Sequence, residues 1–447
     1  MVLDMTKGNP IGKIMRFFVP VLLGNLLQQF YSLADSFIVS RFIGVQAFAG
    51  ISATGSLNFL IIGFTMGVCS GFAIPVSQEF GAGNETGLRR CFANALYLSA
   101  AIATFMAVVT GIFTPQILRL VGTPEDIFNY SRIYMRIVFI GIPATVMYNL
   151  LAGVMRAVGD GRTPLMMLLF STALNIALDL LLVVALDMGI TGAAVATVFS
   201  QLISGILCLI VIFRKFDVLR VRSGEWAMDG AIMRRLTGIG LPMGLQFSIT
   251  AIGSTMLQSA VNSLGSSAVA SIGAGAKVQF VFTAPLEAVG VTMATYCGQN
   301  IGAGRIDRVR AGVLRITIIM LAYSAAAFVI QIFTGRMLAE LFIGKGDPSI
   351  VDGTVQYLNS VILFVFLLGI VLIYRNSIQG LGHSRVAMLA GIMELIGRAF
   401  VAFVLVRLFG FDGACFANPT AWFCADLLLL PLYFKILRGA EAAKKSI

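Results

Sequence analysis

Acidic residues interrupt several apolar runs of this sequence, where a charge is costly enough to suggest a function. Asp35, Asp179, Glu287 and Glu394 stand in such runs, and Asp426 stands near the end of the last one. A charged side chain at the centre of a bilayer costs about 2.5–3.5 kcal/mol on insertion scales. Acids placed there commonly bind protons or ions, so these residues are the first candidates for a site.

Three polar side chains of the first half are predicted to lie at one depth. Asp35, Asp179 and Thr197 each lie about five to seven residues from the outer end of a predicted helix. At about 1.5 Å per residue they share a layer roughly 8–11 Å below the outer surface. Because they come from three different segments, this layer predicts a common polar cavity.

Two asparagines add to the layer. Asn175 and Asp179 are four residues apart and therefore share one helix face. Asn149 is predicted to lie deeper, after a kink at 141–143. Burial favours the neutral form of a carboxylic acid, so such a site could exchange protons near neutral pH. The same oxygens could instead coordinate sodium, or the acids could only hydrogen bond neighbouring helices.

The second half does not repeat this pattern. Shifted by 221 or 222 positions, Asp35 falls on Met256 or Leu257. Glu394 and Arg398 are four residues apart and are predicted to form a buried ion pair.

Glu287 follows Pro285, and its role stays open between an ion site and a structural contact. Glu287, Glu394 and Arg398 are therefore the candidates for a secondary site.

Helices that cross a membrane must position these residues. The chain has 447 residues, of which 58% are hydrophobic and 12% are charged, against about 25% charged in soluble domains. In lipid the backbone must satisfy its own hydrogen bonds, and runs of about 20 apolar residues then form helices. Twelve spans are predicted, at about 14–40, 48–78, 91–113, 132–157, 164–186, 190–214, 237–263, 269–300, 312–333, 352–379, 385–408 and 413–436.

The basic residues orient these spans. The net charge is +11, but the Lys and Arg residues lie in short gaps between spans, which argues against nucleic acid as a partner. With the N-terminus inside, about 23 of them face inward, Arg375 included, and about 7 face outward. This asymmetry predicts a multi-pass protein of the inner (plasma) membrane with both termini in the cytoplasm.

Several function classes are excluded by composition. The six cysteines form no CxxC pair, and a single histidine cannot build a zinc site with such ligands. No nucleophile–base pair is apparent, so the chain is not expected to be an enzyme. No GxxxxGK[ST] motif occurs, which argues against a pump driven by ATP. The first apolar run, 14–40, is too long for a cleavable signal peptide.

The two halves of the chain repeat each other. "SQEFGAGNETGLRR" at 77–90 returns as "GQNIGAGRIDRVR" at 298–310, and three further segments match at shifts of 221 to 223. Six spans per half make the repeats parallel, a plan that recurs in transporters with a central cavity. The predicted domains are an N-terminal lobe at 1–214, a cytoplasmic linker at 215–235 and a C-terminal lobe at 236–447.

These segments resemble the multidrug and toxic compound extrusion (MATE) family over nearly the whole chain. The most specific are "NLLQQFYSLADSFIVSRFIG" at 25–44, "QEFGAG" at 78–83 and "QNIGAG" at 299–304. "MRAVGDGRTP" at 155–164 and "NIALD" at 175–179 add to the resemblance, which is to the DinF-like bacterial branch. It implies an all-α membrane protein of twelve transmembrane helices in two pseudo-symmetric six-helix bundles.

The resemblance also implies a function. It indicates a secondary active multidrug efflux transporter that exchanges small organic, cationic and amphipathic compounds for protons or sodium by alternating access. No cofactor beyond the coupling ion is expected, with sodium a candidate at Asp35 and Asp179. The partners implied are small-molecule substrates and membrane lipid, with the protein working as a monomer. The cation-coupling residues that carry over are Asp35, Asn149, Asn175, Asp179 and Thr197.

Two alternatives stay open. Another branch of the family uses an acid on helix 7, but the segment 240–265 contains none, so that mechanism is doubtful here. A flippase or exporter of a lipid-linked precursor or metabolite, built on the same general fold, is the second alternative. A protein of that kind is expected to have additional helices and a cationic cavity. In this sequence only one arginine, Arg398, is predicted inside a span.

Overall fold

Helices account for nearly all of the chain that the computed structural model describes, residues 2–343 and 348–445. The two extreme ends, predicted to be cytoplasmic, lie outside these ranges. The first half contains α1 (Pro10–Ile38), α2 (Val45–Ala53), α3 (Gly55–Gly81), α4 (Glu85–Leu120), α5 (Glu125–Ile140), α6 (Ile142–Ala157), α7 (Arg162–Asp179) and α8 (Gly189–Lys215). The second half contains α9 (Gly230–Asn262), α10 (Ser266–Gly302), α11 (Ile306–Ile343), α12 (Pro348–Ile362), α13 (Val365–Gly380), α14 (Ser384–Phe400), α15 (Val406–Cys415) and α16 (Ala417–Lys445).

These helices supply enough apolar length for twelve crossings of a membrane. Ten helical segments are long and apolar enough to span by themselves within the described residues. Two further crossings come from the pairs α5–α6 and α12–α13, each bent by 50°. The predicted fold class, an all-α membrane protein with twelve spans, is therefore confirmed.

Some helix ends differ from the prediction. The predicted span 48–78 is divided at Thr54, whose hydroxyl donates to the carbonyl of Ile51 at 2.7 Å and ends α2. The last predicted gap falls within α15, where the backbone turns at Gly410 with φ of +57°. Both breaks are local backbone events that hydropathy does not register.

The predicted kink at 141–143 is present as the 50° bend between α5 and α6. It lies at Gly141, where a Cβ atom would come within 3.0 Å of both methyl groups of Val198 on α8. Glycine is therefore required by the close approach of α8 rather than by its own backbone, which has right-handed helical angles.

Replacing Gly141 by alanine is expected to destabilise the protein by about 1–3 kcal/mol, because the β-branched Val198 cannot turn away. The melting temperature in detergent should fall accordingly. Gly238→Ala is the matched control, since nothing lies within 4 Å of its added methyl group. Combining Gly141→Ala with Val198→Ala should restore most of the loss, and a loss that persisted in the double variant would contradict the packing argument.

The chain forms two compact units. The first comprises Met1–Asp4 and Val19–Gly244, and the second comprises Met5–Phe18 and Leu245–Ile447. The division falls inside α1 and inside α9, whereas the sequence places the lobes on either side of the segment 215–235. Each unit thus contains part of a helix that begins in the other.

In the first unit, the last turn of α3 and the beginning of α4 contact the start of α9 and the segment before it. Arg235 donates to the Oε1 of Gln78 at 2.8 Å and also pairs with Glu79. Glu225 accepts from the Nε of Arg89 at 2.8 Å, and this hydrogen bond holds the pKa of Glu225 below its usual range. The segment 215–235 is therefore fixed to the first unit.

In the second unit, the last turn of α10 and the first turn of α11 hold the segment before α1 in a corresponding way. The backbone N–H of Met5 donates to the Oε1 of Gln299 at 2.9 Å. Arg308 donates to the carbonyl oxygens of Met5 and Gly8 at 3.0 and 2.9 Å. The repeated "QEFGAG" and "QNIGAG" motifs thus serve matching structural roles.

Candidate ion-coupling site

Two helices of the first unit carry the acids of the predicted site. Asp35 lies in the last turn of α1, one helical turn after Tyr31. Asn175 and Asp179 occupy the last turn of α7, and Asp179 is its final residue. A π-helical turn, Leu180–Ala185, follows directly. Such turns inside helices often mark functional sites.

Asp179 and Asn175 are completely buried and lack partners. Both side chains are 0% exposed. None of their four side-chain oxygen and nitrogen atoms has a hydrogen-bond partner in the described part of the chain. Buried polar groups are normally satisfied, and an unpaired buried carboxylate is especially costly. A ligand that neutralises Asp179 would remove this cost.

Asp35 belongs to the same site. Its side chain is half-buried, and its Oδ1 is buried without a partner among residues 2–343 and 348–445. The two carboxylates lie close enough to interact electrostatically. Two like charges in one low-dielectric pocket disfavour double ionisation, so the pair would bind a proton or cation more readily than either acid alone.

Two tyrosines also interact with the acids of the site, and they were not predicted from the sequence. Tyr31 of α1 donates to the Oγ1 of Thr197 on α8 at 3.4 Å, which joins Thr197 to the acids. Tyr31 and Tyr134 of α5 both interact electrostatically with Asp35 and Asp179. The spacing of Tyr31 and Asp35, four residues on one helix, was the available signal.

Asn149 hydrogen bonds within its own helix rather than with the acids of the site. Its Nδ2 donates to the carbonyl of Thr145 at 2.8 Å within its own helix, α6. Thr145 in turn hydrogen bonds Gln201 of α8. No hydrogen bond joins Asn149 to either acid in the described ranges. The structure therefore brings Asp35, Asn175, Asp179 and Thr197 together, and leaves Asn149 to a neighbouring polar group.

The second unit contains the predicted ion pair with an additional member. The Oε2 of Glu394 accepts from Arg398 at 3.4 Å, as expected for positions four apart on α14. Its Oε1 accepts from Arg375 of α13 at 2.7 Å. Arg375, which was counted with the inner gaps, lies in α13, and its pairing with Glu394 was not predicted from the sequence. Glu287 of α10 is exposed and interacts electrostatically with Arg375.

Comparison with a protein-family model finds the repeat again. The model named MatE matches residues 20–181 and, a second time, residues 242–404. The two matched stretches together cover more than half of the chain.

Known proteins with similar sequences include a probable multidrug resistance protein and a transporter. The probable multidrug resistance protein YoeA of Bacillus subtilis is 32% identical over 74% of this chain and 73% of its own length. The FAD transporter of Shewanella oneidensis is 26% identical over 87% of this chain and 86% of its own. A solved structure, the outward-facing conformation of a multidrug resistance MATE family transporter of the MOP superfamily, superposes with a TM-score of 0.91. It covers 98% of both chains at 19% identity, which supports the fold.

Proposed function

The chain belongs to the MATE family of membrane transporters, and we propose that it is a secondary active exporter that exchanges small organic compounds for protons or sodium ions. The relatives named as multidrug resistance and multidrug export proteins support multidrug efflux. We also propose that the coupling ion is a proton or a sodium ion, and that the substrates are cationic and amphipathic.

The observation that supports the proposal most strongly is the pair of buried acids in the first unit, Asp35 and Asp179. Asp179 is fully buried, and neither of its carboxylate oxygens has a hydrogen-bond partner among the described residues. Asp35 interacts with it electrostatically, and the Oδ1 of Asp35 is likewise buried without a partner there. An exporter driven by an ion gradient needs a group whose occupancy changes during the cycle. We propose that Asp35 and Asp179 are that group, assisted by Asn175, Thr197 and Asn149.

Transport in proteoliposomes tests the proposal directly. Purified protein should accumulate a fluorescent cationic dye against its gradient when a pH gradient or a sodium gradient is imposed. Collapse of the pH gradient by a protonophore should abolish proton-driven uptake, while sodium-driven uptake should survive it. Uptake that follows the dye gradient alone, whatever ion gradient is imposed, would contradict antiport.

A second candidate function is export of an anionic metabolite or lipid-linked precursor. The observation in its favour is the similarity to the FAD transporter. Against it, Arg375 and Arg398, whose side chains are mostly buried in the second unit, are already bound to Glu394. Counterflow with FAD in the same proteoliposomes separates the two candidates, because a cation exporter should exchange the dye and not the dinucleotide.

We further propose that the protein works as a single chain in the plasma membrane with both ends in the cytoplasm. Cysteine labelling in intact cells checks this orientation. Ser223→Cys, in the exposed loop before α9, should resist an impermeant maleimide until the cells are opened. Glu125→Cys, at the exposed start of α5, should react at once.

Both variants belong in a Cys424→Ser background. Cys424 is half-buried, whereas the other five cysteines are buried and should stay unlabelled. Labelling of Ser223→Cys in intact cells would show that the loop before α9 faces outward and would contradict the proposed orientation.

A further inference from the structure

A second group of buried charges lies in the other unit, on three helices that pack together. Arg375 is on α13, Glu394 and Arg398 are on α14, and Asp426 is on α16. Both arginines donate to Glu394, at 2.7 and 3.4 Å. Glu394 therefore uses both of its oxygens on guanidinium groups, while Asp426 receives no hydrogen bond from either arginine.

Asp426 is the unsatisfied member of this group. Its side chain is 4% exposed, and both carboxylate oxygens are buried without a hydrogen-bond partner in the described ranges. It nevertheless lies close enough to Glu394 and Arg375 to interact with both electrostatically. An ionised carboxylate in this position would be desolvated and lack donors, which costs several kcal/mol.

A proton is the simplest ligand that would relieve the unpaired carboxylate of Asp426. Both arginines donate to Glu394, so neither provides the hydrogen bonds that an ionised Asp426 would need. A metal ion is a poorer choice, because Arg375 would repel it and no group of three or more potential metal ligands occurs among the described residues.

Other charges on helices that pack against α16 are too distant or already engaged. Arg310 of α11 lies 3.9 Å from Glu441, about 22 Å along α16 from Asp426. On α15, Asp412 hydrogen bonds Gln356 of α12, and Arg407 is exposed. Arg375 and Glu394 are therefore the charged groups that respond to the state of Asp426.

We propose that Asp426 is a proton-binding site of the second unit, and that its proton determines whether Arg375 is held by Glu394 alone or is shared with Asp426. This site goes beyond the proposed function, which places ion coupling at Asp35 and Asp179. With the proton bound, Asp426 is neutral and Arg375 stays on Glu394, as in this structure. Loss of the proton creates a carboxylate that attracts Arg375 and loosens its bond to α14. The second unit would then sense pH independently of the first.

Infrared spectroscopy of the purified protein tests the site without relying on transport. A variant carrying Asp35→Asn and Asp179→Asn removes the two acids of the first unit. Its spectrum at neutral pH should retain the C=O stretching band of a protonated carboxylic acid, and this band should be lost when Asp426→Asn is added. Adding Glu340→Gln instead, at an exposed ion pair, should leave the band unchanged. An unchanged band after Asp426→Asn, or no band in the double variant, would overturn the proposal.

Isotope labelling provides a second measurement should the triple variant fail to fold. The double variant grown with ¹³C-carboxyl aspartate should show the band shifted to lower frequency, because the protonated acid is an aspartate. A band that stays in place would assign the proton to a glutamate such as Glu287 and reject Asp426. Since the double variant lacks both proposed coupling acids, neither result depends on whether the proposed function is correct.

Discussion

Replacement of Asp179 by asparagine is expected to abolish export driven by an ion gradient while leaving the protein folded. The carboxylate is fully buried and unpaired, so its ability to take up and release a cation is the property that asparagine removes. Driven transport should fall at least about tenfold, to the level of liposomes without protein, and Asp35→Asn should do the same. Stability should hold or rise, because removing a buried charge also removes its desolvation cost.

Asp187→Asn is a matched control for this prediction. Asp187 lies eight residues further along the chain and is exposed. Its φ of +49° is one that asparagine also tolerates. This variant should transport like the wild type. Melting temperature and ion-driven dye uptake should be measured together, and wild-type uptake by Asp179→Asn would remove Asp179 from the coupling mechanism.

Glu394→Gln is expected to act mainly on stability. Its carboxylate binds two buried guanidinium groups, and the change leaves Arg375 and Arg398 without their counter-charge. Breaking a buried ion pair from one side costs about 3–5 kcal/mol, so the melting temperature in detergent should fall clearly. Dye uptake per folded molecule should fall less than in Asp179→Asn.

The pair Arg336 and Glu340 provides the control. It has the same four-residue spacing on α11, but both side chains are more than half exposed. Glu340→Gln should therefore change stability by less than about 1 kcal/mol. Combining Glu394→Gln with Arg398→Gln should recover part of the loss, because one of the unpaired charges is then removed. Equal losses of stability in Glu394→Gln and Glu340→Gln would show that burial does not determine how much the ion pairs of Glu394 contribute to stability.

Hydropathy and charge spacing were sufficient to predict the spans, the bend at Gly141 and the pair of Glu394 with Arg398. Each depends on residues close together in the chain, where helix geometry converts spacing into position. The family was recognisable because its motifs recur at fixed intervals in both halves. Assignment to the DinF-like branch stays a prediction, as does the division into lobes at 214 and 236.

The contacts that were missed join distant parts of the chain. Arg375 was counted with the inner gaps, and nothing in the sequence pairs it with Glu394. Asp426 was noted, but its lack of a partner is a property of packing against α13 and α14. Tyr134 lies on α5, far along the chain from Asp35 and Asp179, and no helix spacing links it to either acid. The sequence indicated which residues are costly to bury, while tertiary packing determined which of them stay unsatisfied.

The segment before α1 binds residues about 300 positions further along the chain, so its folding depends on when those residues are synthesised. Met5 is fully buried, and its backbone binds Gln299 and Arg308, which lie 294 and 303 residues further along the chain. At about 5–20 residues per second, a ribosome needs roughly 15–60 s to reach those partners after it has made Met5. Throughout that interval Met5 and its neighbours are without their final contacts. This segment therefore reaches its native position only after partners about 300 residues further along have been made.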